Sequence, residues 1–410
     1  MTATTGPGQA ARGADLVDLA ASDAAATSES ERREVSAGAH FRALDGYRAM
    51  AALMVVMTHI ATTTGLSSTN SVGHVLARFD FGVPLFFLMS GFLLYRPWAR
   101  AAFDGRPRPA LRRYAVRRAA RILPLYWVVV LATFLVLPEA RSAPPSTWLI
   151  HLAGLQIYIG PGIVQGLSQT WSLCTEIAFY VALPLFGLWG LGRRSRTPQQ
   201  MWRRQIVMIV VLALVAVVYN TVASANGVLP FRQGVWLPAY LDWFGAGMLL
   251  ALVEVRSRQP NPPALARTIR TAAMDRWACL AVFVAVFAVA STPIAGSYDF
   301  GQTSPWESMF KHELYLVAAA ALLAPGILAA DKGWPSFFAR TWPRRTGLIS
   351  YGIFLWHLLF IRLLLGWLDI PVFSGHALEL LVCTLPITLA VATVTYVAVE
   401  RPPQRWAHRR

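Results

Sequence analysis

The chain has 410 residues, of which 55% are apolar and 14% charged, whereas a soluble domain carries about a quarter charged residues. Its mean hydropathy is +0.46, and about ten spans of ~20 residues would occupy roughly half of it. A soluble globular enzyme, a disordered protein and a secreted domain are excluded.

The net charge of +16 comes from 35 Arg and only two Lys, Lys311 and Lys332. In a polytopic membrane protein this reads as the positive-inside bias rather than as nucleic-acid binding, and no nucleic-acid partner is predicted. Residues 1–40, rich in Ala, Ser, Thr and Glu without an apolar run, are predicted to be a disordered cytoplasmic tail and not a signal peptide. The first span would then carry the targeting information.

Ten apolar segments follow, at about 45–64, 79–95, 119–138, 170–190, 205–223, 236–253, 277–293, 310–330, 347–367 and 376–398. The shorter apolar stretch 147–160 is expected to be re-entrant or interfacial. Pro84, Pro124, Pro184 and Pro386 interrupt spans, which membrane helices tolerate when neighbours satisfy the freed carbonyls. The predicted fold is all-α: a polytopic membrane helix bundle of about ten transmembrane helices with both termini cytoplasmic. The membrane domain would run over 41–403, and 404–410 would be a basic cytoplasmic tail. In this orientation the cytoplasmic segments hold 30 basic residues and the outer loops hold three: Arg78, Arg141 and Arg232. A missed span would reverse the sign of every loop after it.

Cys174, Cys279 and Cys383 fall in apolar segments without CxxC spacing and are expected to be free, buried thiols. No HExxH, P-loop, zinc or dinucleotide fingerprint occurs, so no metal or permanently bound cofactor is predicted.

Four basic residues lie within spans or at their edges: Arg48, Arg121, Lys311 and Arg362. Intramembrane charge is costly and marks function by default. In the first span, LDGYRAMAALMVVMTHI, Arg48 and His59 are eleven residues apart, so they share one helix face at a separation of ~16 Å. A cationic anchor and a deep titratable group suit a long ligand with an anionic head and a reactive tail. The alternative is that Arg48 belongs to the basic rim and His59 is a hydrogen-bonded packing residue.

Ser90-Gly91 in the second span would allow close helix approach, and Ser90 is read as packing, since no nucleophile elbow surrounds it. Arg118 and Arg121 are neighbours at the start of the third span, and Arg suits bidentate phosphate contacts. Most arginines of that loop read equally as lipid-facing charge. Glu176 in the fourth span is placed ~21 Å from the cytoplasmic end, close to the depth of His59, and is expected to meet it. The alternative is pairing with Arg362 or Lys311. His357 in the ninth span is a second buried histidine or a packing residue. Lys311, His312 and Glu313 at the outer end of the eighth span are expected to snorkel to the interface; the alternative is that they line the acceptor entrance. His151 carries no signal.

Taken together, LDGYRAMAALMVVMTHI, FGVPLFFLMSGFLL, RRAARILPLYW, TWSLCTEIAFYVALP, ISYGIFLWHLLF and VERP, in this order from about residue 41 to 403, resemble the acyltransferase-3 family of integral membrane O-acyltransferases. The family moves acyl groups, often acetyl, onto hydroxyls of carbohydrates or glycosylated small molecules. The resemblance implies that Arg48 and His59 form the functional pair of the first span, that Arg118 and Arg121 are its Arg-x2-Arg motif, and that Glu176 is the acidic position of WSL-x-x-E. Pro84 stands where many members carry an acidic residue, and Cys174 replaces a common Ser. The chain ends ten residues past Glu400, without the C-terminal hydrolase-like domain of some members, so a stand-alone transferase is expected.

The mechanism expected from these residues is acyl transfer from acyl-CoA, as donor substrate, to a hydroxyl. Arg48, Arg118 and Arg121 would bind the donor's phosphates at the cytoplasmic mouth. His59 would act as general base with Glu176 orienting it, and His357 and Trp171 would contact substrate. The rival reading is a membrane transporter using the buried Arg, His and Glu as a proton or solute pathway. The two halves show no self-similarity of the kind transporters often carry.

Overall fold

A computed structural model describes residues 41–192, 197–225, 234–298, 304–329 and 333–409. The predicted tail 1–40, and Arg193, Arg194, Arg196, Arg232, Lys332 and Arg410 of the charge count, lie outside them. The described residues form helices and no strand. The longer helices are α1 (Arg42–Thr64), α2 (Gly82–Phe103), α3 (Leu111–Val136), α4 (Thr170–Leu191), α5 (Pro198–Ala225) and α6 (Leu241–Arg256). After them come α7 (Ala264–Met274), α8 (Arg276–Ala290), α9 (Pro305–Leu328), α10 (Ser350–Trp367), α11 (Ala377–Thr395) and α12 (Arg401–Arg409).

Eight helical stretches among the described residues are long and apolar enough to cross a membrane, and α7 with α8 would make a ninth. The remaining predicted span is α1. Its 23 residues are enough to cross, but Arg48, His59 and its threonines lower its hydropathy. Fourteen of those residues are buried, so α1 meets mostly protein, where polar side chains find partners.

The span expected at 277–293 is held by α8, whose 15 residues fall short of a full crossing; α7 precedes it at an 85° bend, and only the pair together is long and apolar enough to cross. Asp275 stands at the bend and accepts the Ala278 N–H at 3.0 Å. This N-cap starts a new helix and gives the freed backbone donor a partner. The stretch after 145 forms the short helix Pro145–Leu152 followed by turns and does not span.

The close approach expected at Gly91 is present. A Cβ there would meet the Phe244 carbonyl oxygen, and one at Gly247 would meet that of Leu88, so α2 and α6 cross backbone to backbone. Aromatic stacking continues the seam, with Phe87 4.5 Å and Phe179 4.0 Å from Phe244 between ring centroids.

α10 packs along α1 and α4 along α2. Gly65, with φ of +81°, ends α1, a conformation that costs a residue without Cβ little. The Phe373 and Gly375 N–H groups donate to the Thr63 and Thr64 carbonyls, each at 2.9 Å, which ties the α10–α11 connection to the end of α1. At the arginine-rich end a π-helical turn, Tyr396–Glu400, leads from α11 into α12, which packs on α3.

Candidate active site

An open cavity of about 730 Å³ lies between α1, α2, α3, α4 and α10. Arg48, Arg118 and Arg121 line it, together with Ser90, Glu176, Tyr180, Tyr351 and the apolar Phe86, Phe87 and Phe354. The same three arginines also line an adjoining open recess of about 1020 Å³, with Asp45, Arg117 and Gln404 of α12. The arginines thus stand where the two spaces meet. The Nε atoms of Arg117 and Arg118 and the Nε2 of Gln404 are buried without a hydrogen-bond partner. Buried donors of this kind are costly unless something accepts from them. Arg121 Nη1 pairs with Glu400 at 3.3 Å, and the other Glu400 oxygen, Oε1, has no partner.

Glu176 accepts hydrogen bonds from Ser90 Oγ and from the Tyr180 hydroxyl, the latter at 2.7 Å. Its expected contact with His59 is not made. Depth along a span does not say which helices are neighbours: α4 lies against α2, which supplies Ser90, whereas α10 lies against α1. Pairing with Arg362 or Lys311 is not made either. Arg362 meets Glu139 at 3.3 Å and Lys311 meets Asp80 at 2.9 Å.

His59 Nδ1 lies 2.8 Å from the Val55 carbonyl oxygen and 3.3 Å from His357 Nε2. His357 is 0% exposed, and its Nδ1 lies 3.2 Å from the Ile353 carbonyl oxygen. Neither histidine lines the cavity, but the apolar end of the cavity leads towards them. Phe354 lines that end, packs edge-on against Phe86 at 6.1 Å and lies 6.2 Å from the His357 ring. Ser350, Phe354 and His357 follow one face of α10 at i, i+4, i+7 spacing.

Of the residues predicted for the site, Arg48, Arg118, Arg121 and Glu176 share the cavity wall, and His59 and His357 meet one another beyond it. Trp171 stands behind that wall, 6.3 Å from Phe87 and 5.5 Å from Tyr240. Sequence reasoning missed Tyr180, Tyr351, Phe354 and the polar contact of Ser90. Only Tyr180 was signalled, since i+4 spacing places it beside Glu176 on a helix.

Lys311 and His312 do not snorkel freely. His312 Nε2 pairs with Asp242 at 2.6 Å and stacks on Trp243 at 4.3 Å. Asp242, His312 and Glu313 bring ligand atoms within 4.8 Å of one another, but the His312 nitrogen is already engaged by Asp242. All three cysteines are free; Cys174 is buried, while Cys279 and Cys383 are only half-buried. Both of these lie on helices that keep part of their surface outside the core.

The profile of a family described as an acyltransferase domain matches residues 41–397. The chain is 28% identical over 228 residues to acyltransferase MdmB of Streptomyces mycarofaciens, covering 51% of this chain and 56% of that protein. It is 25% identical over 379 residues to a putative peptidoglycan O-acetyltransferase, YrhL, of Bacillus subtilis (strain 168), covering 88% and 54%. It is 22% identical over 376 residues to peptidoglycan O-acetyltransferase OatA of Listeria monocytogenes serovar 1/2a, covering 88% and 55%. The chain therefore spans about half the length of these curated relatives. No solved structure matches it.

Proposed function

The chain belongs to the acyltransferase-3 family of integral membrane proteins, and on that premise we propose that it transfers an acyl group, in the first instance acetyl, from acyl-CoA to a hydroxyl of a carbohydrate or glycosylated small molecule. The observation that carries this reading is the cavity itself, cationic at one end and apolar at the other, with a histidine pair beyond the apolar end. Its arginine-rich end suits a polyphosphate, because Arg118 and the neighbouring Arg117 present buried N–H groups that lack acceptors and guanidinium binds phosphate in bidentate fashion. Its apolar lining, with Phe86, Phe87 and Phe354, suits an acyl-pantetheine arm.

In the proposed reaction the acceptor hydroxyl oxygen attacks the thioester carbonyl carbon and the carbon–sulfur bond breaks. His59 takes the hydroxyl proton and returns it to the departing thiolate. Glu176, held by Ser90 and Tyr180, faces the arginines across the cavity and accepts hydrogen bonds from donor or acceptor rather than acting on His59. Trp171 and Tyr240 stand behind Phe87 and back the cavity wall against which the substrate would lie. The relatives named for peptidoglycan O-acetyl transfer support a glycan hydroxyl as acceptor.

The test is incubation of the purified protein with radiolabelled acetyl-CoA and an extract of the source cells. Transfer of label with release of CoA is expected, and His59→Ala should lower the rate by on the order of 10²–10⁴-fold. Full activity in that variant would remove His59 from its role. No label transfer and no acetyl-CoA binding by the wild type would overturn the acyl-transfer reading, and transport by sealed vesicles would then be assayed.

A further inference from the structure

We propose that His357 is a positioning residue for His59, fixing the tautomer that leaves the His59 Nε2 lone pair open for proton transfer. This rests on the reading of His59 as the base, and it places on α10 the orienting partner that helix depth alone assigns to α4.

The argument is one of donors and acceptors. A carbonyl oxygen only accepts. His59 Nδ1 is 2.8 Å from the Val55 carbonyl oxygen, so that nitrogen carries the hydrogen. His357 Nδ1 is 3.2 Å from the Ile353 carbonyl oxygen, so it too carries a hydrogen, and the Nε2 of neutral His357 holds a lone pair. That lone pair faces His59 Nδ1 at 3.3 Å. The arrangement that satisfies both carbonyls is therefore single: the His59 Nδ1–H is shared between Val55 and His357, and His59 Nε2 is left as the acceptor.

When His59 takes a proton at Nε2, the ring becomes cationic and the Nδ1–H becomes a stronger donor. A neutral His357 lone pair already aimed at it stabilises that state without reorganisation, in a setting where water competes little. His357 is fully buried, and the rings lie 5.1 Å apart at 53°. The two helices hold this geometry because α10 packs along α1 and its connection to α11 is bonded to the last turn of α1.

Two amides separate positioning from packing. In His357→Asn the side chain reaches only as far as the Nδ1 position, so it keeps the bond to Ile353 but falls short of His59. In His357→Gln the amide oxygen reaches the place of Nε2 and accepts from His59. With radiolabelled acetyl-CoA and the extract used above, His357→Asn should lower kcat by about 10–100-fold, the size of effect seen when a partner orienting a metal-bound histidine is lost, with KM for acetyl-CoA unchanged. His357→Gln should recover most of the rate. Equal rates in the two variants, wild-type turnover in His357→Asn, or a loss confined to KM would overturn the proposal while leaving the acyl-transfer reading standing. Absence of transfer by the wild type would overturn both.

Discussion

Glu176 stands with Ser90 and Tyr180, and His59 stands with His357. Spacing within one helix identified which residues are functional candidates but not who meets whom. Tyr180 was within reach of sequence, because four residues place it over Glu176. Ser90 and His357 arrive from other helices, and no periodicity in α4 or α1 encodes their approach. His151 makes the same point outside the spanning helices. It is fully buried, its Nδ1 donates to the Thr147 carbonyl at 2.8 Å and its Nε2 accepts the Val164 N–H at 3.2 Å. The bond at Nε2 needs that nitrogen's lone pair and so the neutral ring, and burial holds its pKa below the ordinary 6.5. A folded value below the unfolded one means that the unfolded state binds the proton first as pH falls. The contribution of His151 to stability is therefore intact above about pH 6.5 and is lost on acidification below it, with a slope of at most about 1.4 kcal/mol per pH unit. Thermal unfolding in detergent at a series of pH values should show a shallower acid decline for His151→Gln than for the wild type. Parallel curves would contradict this.

Two elements show where local chemistry outweighs hydropathy. Asp275 caps α8 where the chain turns by 85° out of α7, so the apolar segment that follows forms a 15-residue helix rather than a full-length span. α1 is the converse: its polar residues lower its hydropathy, but its burial among neighbouring helices supplies their partners. The α2–α6 crossing depends on the missing side chains of Gly91 and Gly247. Gly247→Leu would force a side chain against the Leu88 carbonyl and should destabilise the protein by about 1–3 kcal/mol, read as a lowered unfolding midpoint. Gly245→Ala, where the nearest contact to an added Cβ is an ordinary 3.6 Å to Ile209, serves as the control and should unfold close to the wild type. An unchanged midpoint in Gly247→Leu would show that the helices can separate at no cost.

For the whole molecule, the asymmetry of charge sets one end apart. The recess shared by Arg48, Arg118 and Arg121 opens among the arginine-rich segments at that end, with α12 beside it. The orientation expected from the basic residues puts both termini in the cytoplasm; a fluorescent protein fused to the C-terminus should then be fluorescent, and alkaline phosphatase fused there should be inactive. The same phosphatase placed in the 139–169 segment should be active. The opposite pattern would reverse the orientation and move the proposed donor entrance to the other face.

The sequence by itself determined the all-helical membrane class, the approximate number of spans and the charge asymmetry, because hydropathy and charge are summed over many residues and survive local error. It also singled out the polar residues within the spans, since each is costly enough in an apolar setting to stand out. Only the tertiary structure decided the pairings: Glu176 with Ser90 and Tyr180, Arg121 with Glu400, His59 with His357. These depend on which helices are neighbours and how they are rotated, and both follow from side-chain packing between segments up to 298 residues apart.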